Sequence, residues 1–406
     1  MGTFNARIGK RASDSITRPA NTTAYTAGDV IGTLSASATG TLTLTGVVKD
    51  GEVVSIGKDK YEFAADTDQT VGLGNIAVDI TSYATKATGA LTVDTQPTAG
   101  DTFTIGYKTY TFVDADTFEE TGTQPVDGEI ILGDDLSGTQ DNIVDAINGD
   151  DGVSGAHLDV TAGNFSSDIS TITALVGGTA GNSIATTSDF TEETNVFDAA
   201  TLGTTTAGTD CTAANAVTAL VAAITASDTV GVGGADGAGD TVVLTADTAG
   251  SAANSITTTE TCANGSFGAA TLTGGKDVEY LTFSDVSNLP GSPVVVIGAS
   301  LRIDTGTLPT GIDAIKLHLY NTAPTAIADN SAYNLPSGDR SKYLGYLSIA
   351  TPVDLGDTVW GQADTPNLSG VLASDSTTLY GILSTDAGWT PESGTVFTVS
   401  IVTIGV

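Results

Sequence analysis

Chemistry at an active centre needs side chains that can move protons, attack carbon or hold a metal, and this chain offers few in usable spacing. It has two histidines, His157 and His318. His318 stands between Leu317 and Leu319, so an alternating strand turns it away from both leucines, toward solvent or a polar contact. Zinc ligation needs clustered His and Cys, and no such cluster occurs in the sequence, nor does a nucleophile elbow or a phosphate loop. In Gly231–Asp240 the glycines permit tight turns that bring Asp236 and Asp240 together, as a cation site requires. The segment lacks both the ordered repeat of a calcium-binding β-roll and the terminal Glu of an EF-hand loop, and a flexible hairpin tip accounts for it. Asp134-Asp135 and Asp150-Asp151 are the residue types that hydrolyse glycosides. With 48 acidic residues such pairs arise by chance, and aromatic residues, the platforms for sugar rings, make up only 6% of the chain. These residues predict a protein that is not an enzyme, with no catalytic residue, no metal and no cofactor.

Charge is more informative. The net charge is −34, and residues 109–275 contain no Lys or Arg against 24 Asp and Glu. Those carboxylates have no internal cation to pair with, so they face water or hold a divalent ion, and they repel nucleic acid and anionic lipid. Four of the fourteen basic residues, Arg7, Lys10, Arg11 and Arg18, fall in the first eighteen positions. The stretch 1–20 has no hydrophobic period and no apolar core of signal-peptide length. It reads as an extended basic arm that docks on an acidic neighbouring protein, with a frayed terminus of incidental charge as the alternative. No apolar run approaches a membrane span, which predicts a soluble chain. Cys211 and Cys262 fit either a disulfide in an oxidising setting or two buried thiols.

The elements carrying these residues are predicted to be mainly β. Charged residues are only 15% of the chain, and the balance of Thr, Ala, Gly and Ser disfavours long helices. One pattern occurs twice, 49 residues apart: Ala38-Thr39-Gly40-x-Leu42-Thr43 through Ile56-Gly57-x-x-x-Tyr61-x-Phe63, and Ala87-Thr88-Gly89-x-Leu91-Thr92 through Ile105-Gly106-x-x-x-Tyr110-x-Phe112. A second pattern recurs downstream, Asn182-Ser183-Ile184 with Phe197-x-Ala199-Ala200-Thr201-Leu202, and Asn254-Ser255-Ile256 with Phe267-x-Ala269-Ala270-Thr271-Leu272. The order start, start, end, end is satisfied by nesting. Residues 88–209 then form one module inside another made of 36–87 and 210–276. Each module carries one helix on a small sheet: Leu136–Asn148 with Thr139 or Asp141 as N-cap, and Cys211–Ile224 with Thr212 as cap. Asn142 and Asn215 take comparable places on the exposed helix faces.

After Lys276 longer apolar strands appear: Leu281–Phe283, Val294–Ile303, Ile315–Tyr320, Tyr343–Ala350, Leu379–Leu383 and Val396–Ile404. Together with a strand within 21–34 they predict a discontinuous β-sandwich base of jelly-roll type from residues 1–35 and 277–406. The combination Thr17-Arg18-Pro19-Ala20-Asn21-Thr22-Thr23-Ala24-Tyr25-x-x-Gly28-Asp29-Val30-Ile31 with Leu317-His318-Leu319-Tyr320-Asn321, Tyr343-Leu344-Gly345-Tyr346, Leu379-Tyr380-Gly381 and Trp389-Thr390-Pro391 resembles tailed-bacteriophage virion structural proteins. The repeat Ile-Gly-x-x-x-Tyr-x-Phe is similar to modules inserted in phage structural chains. The resemblance implies a capsid decoration (cement) protein on the outer surface of the virion, bound to the major capsid protein, by analogy as a homotrimer, with the inserts projecting outward. It implies no catalytic residues. A tail or neck adaptor, or fibre-associated protein, and a head-displayed glycan-binding adhesin are the alternatives. Only Trp360 and Trp389 are present, both in the base, which counts against the adhesin.

Overall fold

A computed structural model describes residues 9–20, 22–115, 125–227, 231–364 and 366–405. The fold is mainly β, with two α-helices among the described residues. It divides into two compact units, Met1–Ser37 with Ala249–Ala252 and Gly274–Val406, and Ala38–Thr248 with Ala253–Thr273.

The first unit, the base, is a sandwich of two antiparallel sheets. One runs in the order Lys10–Thr17, Val396–Gly405, Pro293–Ile303, Val359–Gln362, Val353–Asp354, with Leu368–Val371 also paired to Pro293–Ile303. The other runs Leu281–Phe283, Leu379–Thr385, Ile315–Tyr320, Tyr343–Ile349, with Val30–Ile31 also paired to Leu379–Thr385. Strict alternation sends Phe397, Val399 and Ile401 inward from the first sheet to meet Leu317, Leu319 and Leu383 from the second. Each such side chain, fully withdrawn from water, contributes about 1.5–3 kcal/mol. The apolar strands expected after Lys276 are all present, with ends shifted by two residues at most.

One expectation near the N-terminus needs correction. Residues 10–17 are not an extended arm but a strand, because Ala12 and Ile16 bury their side chains in the sandwich while the backbone pairs with 396–403. Among the described residues of 21–34 the short strand is Val30–Ile31, and the turn expected at Gly28-Asp29 precedes it, with the Asp29 carboxylate accepting from the Thr26 amide at 2.6 Å and Gly28 at φ +89°.

In the second unit the buried side chains form two clusters, one drawn from residues 38–84 and 211–272, the other from 87–202. Each cluster lies between two four-stranded sheets of matching order. Ile76–Asp79, Asp59–Ala64, Val53–Ile56, Thr258–Glu260 corresponds to Glu129–Ile131, Lys108–Val113, Thr102–Ile105, Thr186–Asp189. In both, the first pair is parallel and the rest antiparallel. The second sheets correspond likewise, Val232–Asp236, Thr241–Ala246, Thr39–Leu44, Gly265–Phe267 and Val160–Ala162, Ile169–Gly177, Lys86–Thr92, Val196–Phe197. The 49-residue repeat is thus a repeat of packing. Tyr61, Phe63, Phe112 and Tyr110 are all fully buried on their period-two face. Gly57 and Gly106 turn the hairpins at φ +60° and +56°. Gly40 and Gly89 leave room for a leucine, since a Cβ there would lie 2.6 Å from Leu272 Cδ2 and 2.8 Å from Leu202 Cδ2.

The helices are Leu136–Asn148 and Ala213–Ser227. Asp135, rather than Thr139 or Asp141, caps the first, accepting from the Gly138 amide. Thr139 is fully buried instead, its hydroxyl taking bonds from the Gly133 amide and Gln96 Nε2. Asn142 is not on an open face: its Nδ2 donates to the Ile131 carbonyl at 2.7 Å. Thr212 caps the second helix through a 3.4 Å bond from the Asn215 amide. Cys211 and Cys262 are free, buried thiols, and burial pushes them up to about 11 and about 12, so neither is a ready nucleophile.

Two junctions repeat one construction. Thr85 and Thr209 exchange backbone hydrogen bonds at 2.9 and 3.2 Å, the Gly178 amide donates to the Thr85 carbonyl, and Asp210 accepts from the Thr179 amide and hydroxyl. Within the base, Ala36 and Lys276 exchange bonds at 2.9 and 3.0 Å, the Gly250 amide donates to the Ala36 carbonyl, and Asp277 accepts from the Ser251 amide and hydroxyl. At both places the glycine has positive φ, and a Cβ would meet the aspartate at 2.8 or 2.7 Å. Each clasp closes a chain excursion at its neck, so neighbouring strands enter and leave side by side.

Candidate docking surface

The strand Lys10–Thr17 lies at the end of its sheet. The Arg18 amide donates to the Thr395 carbonyl at 2.9 Å, which sets the phase of the ladder. In the register Lys10↔Thr403 to Thr17↔Val396, even-numbered residues therefore direct their backbone groups at the neighbouring strand. Arg11, Ser13, Ser15 and Thr17 direct theirs outward, away from the sheet. Of these outward donors the Ser15 amide is occupied, by Asp14 Oδ1 at 2.8 Å.

The same residues begin the solvent face of the sheet. Across the register Ser13, Ser400, Ser300 and Gln362 form one row, and Ser15, Thr398, Arg302 and Trp360 the next. None of these positions holds a carboxylate, in a chain with 48. Arg11 is exposed and reaches Ser400 Oγ, while Lys10 is half-buried with its ammonium on the Ser287 carbonyl at 3.1 Å. Neither Lys10 nor Arg11 has a carboxylate partner among the described residues.

Of the four basic residues expected to dock, Arg7 lies outside the described residues, and Arg18 is not available. It is 2% exposed, with Nε donating to Tyr25 Oη at 2.8 Å, Nη2 to the Thr23 carbonyl, and an ion pair to Asp329 at 3.3 Å. Tyr25 in turn donates to Asp329 at 2.7 Å, and its hydroxyl is held well above the usual range by burial and then by that carboxylate. The ring of Tyr25, 4.9 Å from the guanidinium carbon, covers one side of the charge. Arg18 is therefore a structural cation of the base.

The remaining candidates resolve into structural work. His318 does not face solvent: it is 5% exposed, stacked on Tyr333 at 3.7 Å, and bonded to Tyr343 and Ser384 hydroxyls. Burial, and secondarily Lys316, lowers it to about 4. The unfolded chain takes this proton near 6.5, so stability is expected to fall as pH drops from about 6.5 to 4, by roughly 3 kcal/mol at most. Thermal melts of wild type and His318→Gln across that window check it, since the variant should lose most of the slope. His157 is buried between the Ile105 carbonyl and the Asp159 amide. Asp135 caps a helix and Asp151 accepts from the amides of Val153 and Ser154, so one member of each acid pair organises backbone. Asp236 ends a strand and Asp240 sits in the hairpin turn. No cluster of three potential metal ligands occurs among the described residues.

What escaped the sequence was the clasp pair Asp210 and Asp277. Its trace was present: Gly178-Thr179-Ala180 and Gly250-Ser251-Ala252 stand at the same distance before the two Asn-Ser-Ile copies. No family model, curated protein or solved structure matches the chain.

Proposed function

We propose that this is a virion structural protein of the capsid-decoration class, in which the base binds the outer head surface and stabilises the shell while the second unit stands away from it. The observation that carries this reading is the segregation of charge. The second unit holds 33 of the 48 acidic residues but only five of the fourteen basic ones. The base has the balance, and its N-terminal sheet presents a hydroxyl-rich face with an exposed Arg11 and with Arg302 paired to Asp304 at 3.0 Å. A polyanionic unit resists close approach to other acidic surfaces, whereas the base carries far less excess negative charge and offers hydroxyls that can hydrogen-bond a partner. The phage assignment and the trimer rest on the resemblance in the base strands. The test is co-sedimentation of the full chain with cognate shells purified without it. Saturation at a fixed ratio to shell subunits is expected, and absence of binding would move the tail-adaptor reading ahead.

A further inference from the structure

We infer that the outer edge of Lys10–Thr17 is the contact itself, and that it takes an extended acidic segment of the shell protein as an added strand. This rests on the decoration reading and names the chemistry of its partner. The edge presents donors at Arg11, Ser13 and Thr17 and acceptors at Arg11, Ser13, Ser15 and Thr17, by the phase that the Arg18–Thr395 bond fixes. Edge strands are ordinarily blunted by proline, bulges or inward charges; from Ser13 to Thr17 the pairing with 396–400 is regular and proline-free, and the one inward charge, Asp14, is taken up by the Thr282 and Ser15 amides, which leaves the outward groups of Arg11, Ser13 and Thr17 to a partner. The occupant is chosen by charge. Lys10 and Arg11 bring two cations without carboxylate partners to one end of the edge, so a strand carrying Asp or Glu there completes both. A second copy of this chain pairing by the same edge is the poorer occupant, because its exposed residues there are Arg11, Ser13, Ser15 and Thr17, with no carboxylate to offer Lys10 and Arg11.

Ser13→Pro separates edge from fold. The Ser13 amide points outward, so proline deletes a docking donor and places its ring in the path of an incoming strand, yet breaks no bond to Val396–Gly405. With shells lacking the protein, Ser13→Pro is expected to weaken binding at least tenfold with melting unchanged within a few degrees. Arg11→Glu is expected to weaken it with a flatter salt dependence. Hydrogen exchange on the unaltered chain gives the same answer without a variant: the Arg11, Ser13 and Thr17 amides exchange freely alone and become protected on the shell. Wild-type binding with no protection of these amides, or with Ser13→Pro bound equally well, overturns the edge contact and leaves the decoration reading standing. No binding by wild type removes both. An oligomer of the free protein that Ser13→Pro dissolves would assign the edge to a second copy and overturn the acidic partner.

Discussion

Arg18→Ala is expected to cost the base about 3–5 kcal/mol, enough to unfold a domain of ordinary stability at moderate temperature. The size follows from what is left behind. Asp329 has a side chain 1% exposed, and without the guanidinium its charge would remain buried against the Tyr25 hydroxyl and the Gly32 amide alone. Asp329→Ala should be comparably damaging, since it strands the cation instead. Replacing both by apolar residues of similar volume should recover much of the loss, because desolvation of two charges is then avoided. The measurement is urea unfolding followed by tryptophan fluorescence. Both tryptophans are in the base, and Trp389 lies 5.2 Å from Tyr25, so the signal reports this unit. A loss under about 1 kcal/mol for Arg18→Ala would mean that water reaches the pair and the network is not the buried device described.

The second large effect is at the neck of the excursion closed by Thr85 and Thr209. Gly208→Ala would place a methyl 2.1 Å from the Gly178 carbonyl oxygen and 3.2 Å from the Ala87 amide nitrogen, so backbone rather than a pliable side-chain tip must move. The same Gly208 amide and carbonyl are held by Asn182, which leaves the chain no slack. Overpacking of this kind costs about 1–3 kcal/mol, and the backbone contact puts this case at the upper end. The expected readout is local: amide exchange at Thr85 and Thr209 should accelerate by about a hundredfold while the amides of Tyr110 and Phe112 keep their protection. Gly89→Ala is the comparison, because the one close contact of its methyl is the end of the Leu202 side chain, 2.8 Å away, which can turn, and the next atom, Asp198 Oδ1, lies at 3.4 Å. Equal acceleration in the two variants would show that the clasp does not set the stability of the neck.

The sequence made the core legible wherever burial wrote an alternation. Phe397, Val399 and Ile401, or Tyr110 and Phe112, reveal both strand and inward face, and the 49-residue repeat marks equivalent residues without any structure. Lys10–Thr17 was misread because only Ala12 and Ile16 are buried apolar residues. Its other residues are charged or hydroxylic, and its membership in a sheet is decided by a partner almost four hundred residues away. Arg18 was misread for the converse reason. A cation near a terminus looks solvated until Asp329 is brought beside it. The helix cap fell at Asp135 because the Thr139 hydroxyl was claimed by Gly133 and Gln96, tertiary bonds that no local pattern records. The edge itself is a property of backbone phase, which side-chain identity does not encode.

The strand pairings also impose a timetable on synthesis. Thr39–Leu44 leaves the ribosome long before its ladder partners Thr241–Ala246 and Gly265–Phe267. The strands Lys86–Thr92 and Ile169–Gly177 meet in the interval. At about 5–20 residues per second, the earlier strand waits on the order of tens of seconds with its apolar face uncovered. Lys10–Thr17 waits longer still, because its partner Val396–Gly405 follows almost four hundred residues later. The nascent chain thus matures from the inside outward, and the base can close only once residues 396–405 have emerged. A polyanionic, lysine-free middle is well suited to that delay, since like charges keep waiting chains on neighbouring ribosomes apart.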